Sequence, residues 1–392
     1  MVSVEEAKYR ITEQQFHSIR CRNSVDAASG QVLSADVCSA IDMPPFPQSA
    51  MDGYALGTGE RESGSTFKVV GEVAAGSSSQ IQLNTDECVR IFTGAPVPET
   101  ASAVVQQEWV ERNGNQIILQ KEVPENMHIR PSGEQMKVGD VALATGTTLN
   151  PAAIGFLQML GITEVEVFAR PNVKVLVTGN ELVEPGRPLQ HGQIYESNSQ
   201  MLLAALKKEG IGGNVGRIKD DLNETIEGID QALKENEIII ISGGISVGDH
   251  DHVGMALKEL GVQEVFYKVA QKPGKPIFFG TKEGKAVFGL PGNPAASLTC
   301  FYEYVVPIIR KFMGRTDSFL PSLKLPLAEG TIKQMPRAQF LKAKIANNEV
   351  HILEGQSSAM LNTFALANAL VYVPANANAL SAGDQVEVHL LT

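Results

Sequence analysis

The sequence predicts a multidomain α/β protein: a central doubly wound α/β domain, mixed helical and β N-terminal domains, and a small β C-terminal domain. Three observations predict it. The chain has 392 residues, more than one core usually holds and suited to two to four domains. Between about 173 and 312, apolar runs alternate with helical stretches, the pattern of a parallel sheet covered on both faces. On either side the texture is short β-type runs punctuated by Gly, Pro and Ser.

Element by element, residues 4–21 place Val4, Ala7, Ile11 and Ile19 partly in helical register and predict a short helix. From about 43 to 135, "FKVVGEVAAG", "CVRIFTGAPVP", "SAVVQQEWVE" and "QIILQ" read as strands of a small β module. "GDVALATGTTLNPAAIGFLQML" supplies a strand, a turn and a helix, with Asn150 as N-cap, Pro151 opening the helix and Gly161 closing it. Beyond "RPNVKVLVTGNE", apolar runs at 173–178, 238–241 and 286–290 alternate with helices near 198–209, 222–234, 252–260 and 295–312. From about 316 β-type runs return, ending in "DQVEVHLL". The expected domains are 1–42 with 136–169, helical and β; 43–135, β-rich; 170–315, α/β; and 316–392, β.

Composition restricts the function. Hydrophobic residues make up 43% and charged residues 20%, as in globular rather than disordered chains. Lys and Arg number 33 against 44 Asp and Glu, a balance of −11 that disfavours nucleic acid as a partner. Cys21, Cys38, Cys88 and Cys300 form no CxxC pair, which argues against a disulfide framework or zinc knuckle and suits a reducing cytoplasm. "MVSVEEAKYR" has no apolar leader core, and no window approaches the roughly 18 apolar residues of a membrane span, so no membrane role is expected.

Chemistry gathers in "IIIISGGISVGDHDH", residues 238–252. A buried strand delivers Gly243, Gly244, Ser246, Gly248, Asp249 and Asp251 to the carboxyl edge of the predicted sheet, where open α/β folds bind ligands. Glycines bring backbone N–H groups close to an anion; they also serve a tight turn by their dihedrals alone. The carboxylates suit a divalent ion such as Mg²⁺ between protein and phosphate. "KDD" at 219–221 follows another strand and would bring Asp220 to the same edge, while Asp249 reads more simply as a helix cap. His250 and His252 read as surface histidines, not zinc ligands. "YKVAQKPGKPIFFG" groups Lys268, Lys272 and Lys275 in a loop stiffened by Pro273, Gly274 and Pro276, an anion pocket on an acidic protein. "FGLPGNPAAS" ends a third strand in a rigid turn.

Six motifs recur in order: "AMDGYA" (50–55), "TGAPVP" (93–98), "VLVTGNELVEPG" (175–186), "SGGISVGDHD" (242–251), "KPGKP" (272–276) and "LPGNP" (290–294). With them the chain resembles, over nearly its whole length, the molybdopterin molybdenumtransferases, the molybdenum insertases related to the E domain of gephyrin. The resemblance implies insertion of molybdate into adenylylated molybdopterin, with release of AMP and molybdenum cofactor, assisted by Mg²⁺. It implies a homodimer, with transient contacts to other molybdenum-cofactor biosynthesis proteins. Carried over by motif, the catalytic positions are Asp52, Thr93, Glu181, Asp220 and Asp251, with Asp220 and Asp251 as metal ligands. The substrate-binding positions are Ser197, Asn198, Gly243, Gly244, Ser246, Gly248, Lys268, Lys272, Lys275, Pro276, Pro291, Gly292, Asn293, Ser297, Arg337 and Ser358. Glu181 is open to two roles, water activation or metal ligation. "AMDGYA" is the best case for function over structure, since Asp52 has no helix or strand in the sequence to cap. Asn180, Gln135, Ala296 and Lys342 depart from the family pattern; Lys342 keeps a charge but lacks the bidentate fork of Arg. Two alternatives are a molybdopterin adenylyltransferase, which the β domains on both sides count against, and a non-enzymatic scaffold of the gephyrin type.

Overall fold

A computed structural model of the chain describes residues 1–78, 80–245, 252–330, 336–377 and 379–391. It divides into two compact units: Ser24–Ser29 with Ala35–Val165, and Met1–Asn23 with Gly30–Ser34 and Glu166–Thr392. The smaller unit carries a six-stranded sheet in the order Ala103–Gln106, Gly53–Leu56, Glu87–Ile91, Thr66–Val73, Gln116–Leu119, Val110–Asn113. Side chains alternate between its faces, so Tyr54 and Leu56 join one apolar cluster with Phe67 and Ile117, and Ala55 joins the other with Val89 and Val104. The helix Pro151–Met159 starts as its sequence predicts: Asn150 Oδ1 accepts from the Ala153 N–H at 2.9 Å, Pro151 opens the first turn, and Gly161 follows at φ +73°.

The larger unit is built on the α/β sheet. Its elements are β1 (Val173–Thr178), α1 (Asn198–Lys208), β2 (Gly213–Ile218), α2 (Leu222–Glu235), β3 (Ile238–Ser242), α3 (His252–Glu259), β4 (Gln263–Tyr267), β5 (Phe278–Lys282), β6 (Lys285–Leu290) and α4 (Pro294–Cys300). The strand order is β2-β1-β3-β6-β5-β4. The four isoleucines of β3 show why the run is continuous. Ile238 and Ile240 enter a core with Leu202 and Leu206 of α1, while Ile239 and Ile241 enter another with Ile229 of α2 and Val253 of α3. Helices cover both faces, so a strand in the middle has no polar side.

The sheet is not wholly parallel, as the alternation of strands and helices had implied. β2, β1, β3 and β6 run parallel, but β5 pairs antiparallel with β6, and β4 with β5. Only Glu283 and Gly284 link β5 to β6, at φ 51° and 75°. Two residues with positive φ make a tight hairpin and are far too few for a parallel crossover. The N-terminal helix Val4–Glu13 buries Val4, Ala7 and Ile11 in the larger core; Ile19 lies beyond it and is exposed.

After α4 the chain makes a π-helical turn, Phe301–Val305, and continues as α5 (Val306–Phe312). The C-terminal strands are β7 (Ser322–Pro326), β8 (Ala338–Ala346), β9 (Glu349–Ile352), β10 (Ala369–Val373) and β11 (Gln385–Leu390). They form a sheet in the order β8-β10-β11-β7, with β9 also on β8. The pair Gln271–Lys272 adds to this sheet, parallel to β8, with Gln271 opposite Ala338 and Lys272 opposite Gln339.

Candidate functional site

The carboxyl ends of β1, β3 and β6 open into a cleft of about 900 Å³. Gly179–Leu182, Ser242–Ile245 and Pro291–Pro294 wall it, joined by Glu196–Asn198 at the start of α1 and by Asp220 after β2. A cleft here follows from the topology, because parallel strands end together and their loops diverge to opposite faces. Glycine is needed where β3 turns. Gly243 and Gly244 sit at φ +92° and +67°, and a Cβ on Gly244 would lie 2.7 Å from Val253 Cγ2 and 2.9 Å from Thr178 Oγ1. Both sequence readings of the glycine pair, dihedral need and close approach, therefore apply.

One wall is a buried, uncharged network. Asn198 Nδ2 donates to Ser242 Oγ at 2.9 Å and to the Gly292 carbonyl at 2.8 Å, tying the first turn of α1 to the ends of β3 and β6. Its Oδ1 is buried and, among the described residues, accepts nothing. Such an orphan is uncommon in a folded protein and expects a ligand or water. Below it, the Glu196 carboxylate accepts from the Ser199 N–H at 2.9 Å and from the Ser199 hydroxyl.

The opposite rim is exposed and acidic. Asp220 Oδ2 accepts from the Asn180 N–H at 3.2 Å, which fixes it beside Glu181 on the cleft edge. The "KDD" stretch divides its labour: Asp221 Oδ1 accepts from the Glu224 N–H at 3.0 Å and caps α2, leaving Asp220 for the cleft.

The structure thus brings Glu181, Ser197, Asn198, Asp220, Gly243, Gly244, Pro276, Pro291, Gly292 and Asn293 to one cleft. Ser246, Gly248 and Asp251 lie outside the described residues, as do Asp249 and His250. Of the lysine loop only Pro276 lines the cleft. Lys268 is held at φ +64° by its N–H on the Ile277 carbonyl, with its ammonium 4.6 Å over the Tyr267 ring. Lys272 lies in the pair added to β8, which puts it next to the segment carrying Arg337, and Lys275 is exposed. Gly274 is enforced there, since a Cβ would lie 2.3 Å from Cys300 Sγ. Ser297 is fully enclosed in α4, its hydroxyl without a hydrogen bond among the described residues, one turn beyond the cleft wall. Ser358 is linked to that wall through Asn293, whose Nδ2 donates to its Oγ at 2.9 Å.

In the smaller unit Asp52 and Thr93 meet. Asp52 Oδ1 accepts from both the N–H and the hydroxyl of Thr93 at 2.8 Å. These bonds, the backbone one first, hold the exposed carboxyl below its ordinary value. Asp52 therefore caps no helix or strand but ties down the turn after Glu87–Ile91, a local structural role the sequence did not disclose. Sequence reasoning passed over two cleft residues. His252, expected on the surface, is half-buried in the lining, and Glu196 lies in the lining one residue before Ser197. Position at a helix start was the available signal for both.

Family models match almost end to end. The MoeA N-terminal region (domains I and II) covers residues 2–161, a probable molybdopterin binding domain 174–311, and the MoeA C-terminal region (domain IV) 324–391. A protein of Haemophilus influenzae named molybdopterin molybdenumtransferase is 35% identical over 406 residues, covering 100% of both chains. The chain belongs to the MoeA family. A Staphylococcus epidermidis member with the same name is 33% identical across 99% of this chain and 95% of its own. The crystal structure of the molybdopterin biosynthesis MoeA protein from Pyrococcus horikosii superposes with a TM-score of 0.85 at 31% identity, covering 100% of this chain and 99% of that one. Against this MoeA background, the cleft lies wholly within the span matched by the molybdopterin-binding model and its flanking segments.

Proposed function

We propose that this MoeA-family chain inserts molybdate into adenylylated molybdopterin, releasing AMP and molybdenum cofactor. The observation that carries the reading is the convergence on one cleft of three strand-end motifs around Asn198, whose buried acceptor is unmet. In this reading Asn198, Ser197, Gly243, Gly244, Pro291, Gly292 and Asn293 hold the pterin nucleotide, with Ser246 and Gly248. Lys268, Lys272, Lys275, Pro276, Arg337 and Ser358 serve the molybdate dianion, where ammonium and guanidinium groups offset the charge of an acidic protein. Ser297, enclosed in α4, makes no ligand contact in this reading.

The oxygen donors suit Mg²⁺: among the described residues Asp220 and Glu181 offer carboxylates and no sulfur donor lines the wall. Asp220 would hold the ion together with Asp251. Bound there, Mg²⁺ supplies neutralisation of phosphate charge. Glu181, on the same rim, keeps both of its readings, acceptor of a proton from water or further metal ligand. Asp52 and Thr93 belong to the same proposal, as contributions to the cleft of a second subunit in a homodimer. So do the cytoplasmic location, transient contacts with other proteins of cofactor synthesis, and the division at 1–42 with 136–169, 43–135, 170–315 and 316–392.

The test is AMP release from adenylylated molybdopterin with and without molybdate. Release that depends on molybdate in the wild type, and loss of that release in Asp220→Asn without unfolding, is expected. Wild-type protein that binds the nucleotide yet yields no AMP on adding molybdate overturns the reading.

A further inference from the structure

We infer that Lys342 is a positioning residue: its buried ammonium holds the 355–360 loop so that Ser358 meets Asn293 on the cleft wall. Lys342 lies within β8 and is 3% exposed. Its Nζ donates to the carbonyls of Gly355 at 2.7 Å, Ser357 at 3.2 Å and Met360 at 3.0 Å. An ammonium has three protons and all three are taken by one loop, so no donor is left for an oxyanion in the cleft. The acceptors are all backbone. Their number compensates for the missing carboxylate, since a buried cation needs each of its donors satisfied.

The rest of the loop is built around this residue. The Lys342 N–H donates to Gln356 Oε1 at 2.9 Å, and Gln356 Nε2 returns to the Lys342 carbonyl at 2.9 Å and the Leu353 carbonyl at 2.7 Å. Gly355 turns at φ +77°, where a Cβ would stand 2.6 Å from Thr363 Oγ1. The loop then delivers Ser358 to the start of α4 at two points. Its carbonyl accepts from the Ala296 N–H at 3.2 Å, and its hydroxyl accepts from Asn293 Nδ2 at 2.9 Å. Asn293 is the N-cap residue of α4, but its side chain makes no capping bond. The amide is committed to Ser358, and its residue lines the cleft. Removing the ammonium would strand three converging carbonyls in a closed space, and the loop would have to open to hydrate them.

The inference rests on the proposed function for the identity of the ligand, whereas the loop itself is tested without one. Amide hydrogen exchange is compared in wild type, Lys342→Met and Lys342→Arg, and a Lys342→Met/Ser358→Ala cycle is read by binding of adenylylated molybdopterin and by AMP release. Exchange at 356–360 should accelerate about tenfold or more in Lys342→Met, with β10 and β11 unchanged, corresponding to loss of a charge-assisted contact. Apparent nucleotide affinity should fall about fivefold, the worth of one neutral hydrogen bond, with saturated turnover held within about twofold. Adding Lys342→Met to Ser358→Ala should cost almost nothing further. Should Lys342→Met not fold, Lys342→Arg carries the test: a planar fork cannot aim at three converging carbonyls, so the same pattern should appear. Unchanged exchange at 356–360, or losses that multiply in the double variant, overturns the inference. Faster exchange in a protein whose wild type neither binds nor turns over the nucleotide leaves the positioning role standing and sinks the functional reading.

Discussion

Two buried polar regions of the larger unit solve opposite problems. At the junction of the N-terminal helix, the π-turn and β11, charge is buried and fully paired. Glu303 is 2% exposed; its Oε2 meets Lys8 Nζ at 2.7 Å and its Oε1 meets His389 Nδ1 at 2.7 Å. His389 Nε2 in turn meets Glu387 at 3.0 Å, Tyr372 donates to the Glu5 carboxylate, and the Lys8 ammonium lies 5.6 Å over Phe319 and 5.7 Å over Phe340. In the cleft the buried Asn198–Ser242 network is uncharged, and among the described residues its acceptor Asn198 Oδ1 stays open, while the buried Glu196 carboxylate is taken up by Ser199. Buried ions without partners are too costly to persist, so the closed network reads as a fastening between distant parts of the chain. A neutral orphan costs less and can wait for a ligand. Here the satisfied charges fasten distant segments together, and the unmet Asn198 acceptor lies in the cleft.

The largest effect should come from opening the closed network. Glu303→Ala leaves buried His389 and half-buried Lys8 without their shared acceptor and should cost about 3–5 kcal/mol. A urea midpoint measures it, and AMP release per folded molecule should stay near wild type. A cost below about 1 kcal/mol would remove the junction from any account of stability.

Its pH dependence follows from the same geometry. Burial alone would raise the Glu303 carboxyl, but Lys8 and then His389 overcome it and bring the value from 4.5 down to about 2. Stability from this group is present above 4.5 and lost as pH falls towards 2. Burial disfavours charged His389, yet Glu303 and Glu387 raise it above 6.5 despite Lys8. That contribution is complete below 6.5 and lost as pH rises through the raised value. Stability should therefore peak between 4.5 and 6.5 and decline on both sides. His389→Gln should flatten the alkaline decline; a decline as steep as in wild type would assign it to other groups.

The two regions also differ in how far the sequence disclosed them. The cleft was legible because strand ends carry local marks: isoleucines running into Gly243–Gly244, "KDD" after β2, "LPGNP" after β6. The junction was not, because Lys8, Glu303 and His389 come from separated segments and meet only once the sheets are packed. The same limit explains the lysine loop. "KPGKP" marked a stiff turn, but nothing local indicated that Gln271–Lys272 would pair with β8 and join the C-terminal sheet. Nor did an apolar run reveal that β5 and β6 form a hairpin; Glu283–Gly284 was the signal, and it is only two residues long.

An intermediate effect is expected at the heart of the cleft. Asn198→Ala removes the donor shared by Ser242 Oγ and the Gly292 carbonyl, and should cost about 1–3 kcal/mol of stability. Unlike Glu303→Ala, it should also weaken binding of adenylylated molybdopterin by about tenfold or more, because the orphan acceptor goes with it. Thermal shift with and without the nucleotide separates the two. A variant destabilised alone, with affinity intact, would make Asn198 another fastening and erase the contrast.

The smallest effect probes the acidic rim. Asn180 is exposed and its N–H is donated to Asp220, so Asn180→Asp adds a carboxylate beside Asp220 without disturbing the backbone bond. Folding stability should move by less than about 0.5 kcal/mol, as for other surface changes. If the rim faces Mg²⁺, the extra charge should strengthen its binding by about 0.2–1 kcal/mol, a factor of roughly 1.5 to 5 in the concentration that half-saturates AMP release. The gain should shrink as ionic strength rises, since exposed charges are screened within about 10 Å at 0.1 M salt. Calcium in place of magnesium offers a control, because it accepts looser oxygen geometry and more ligands. An unchanged magnesium requirement at low salt would leave Asp220 as a partner of the Asn180 N–H alone, and the rim would then belong with the closed network.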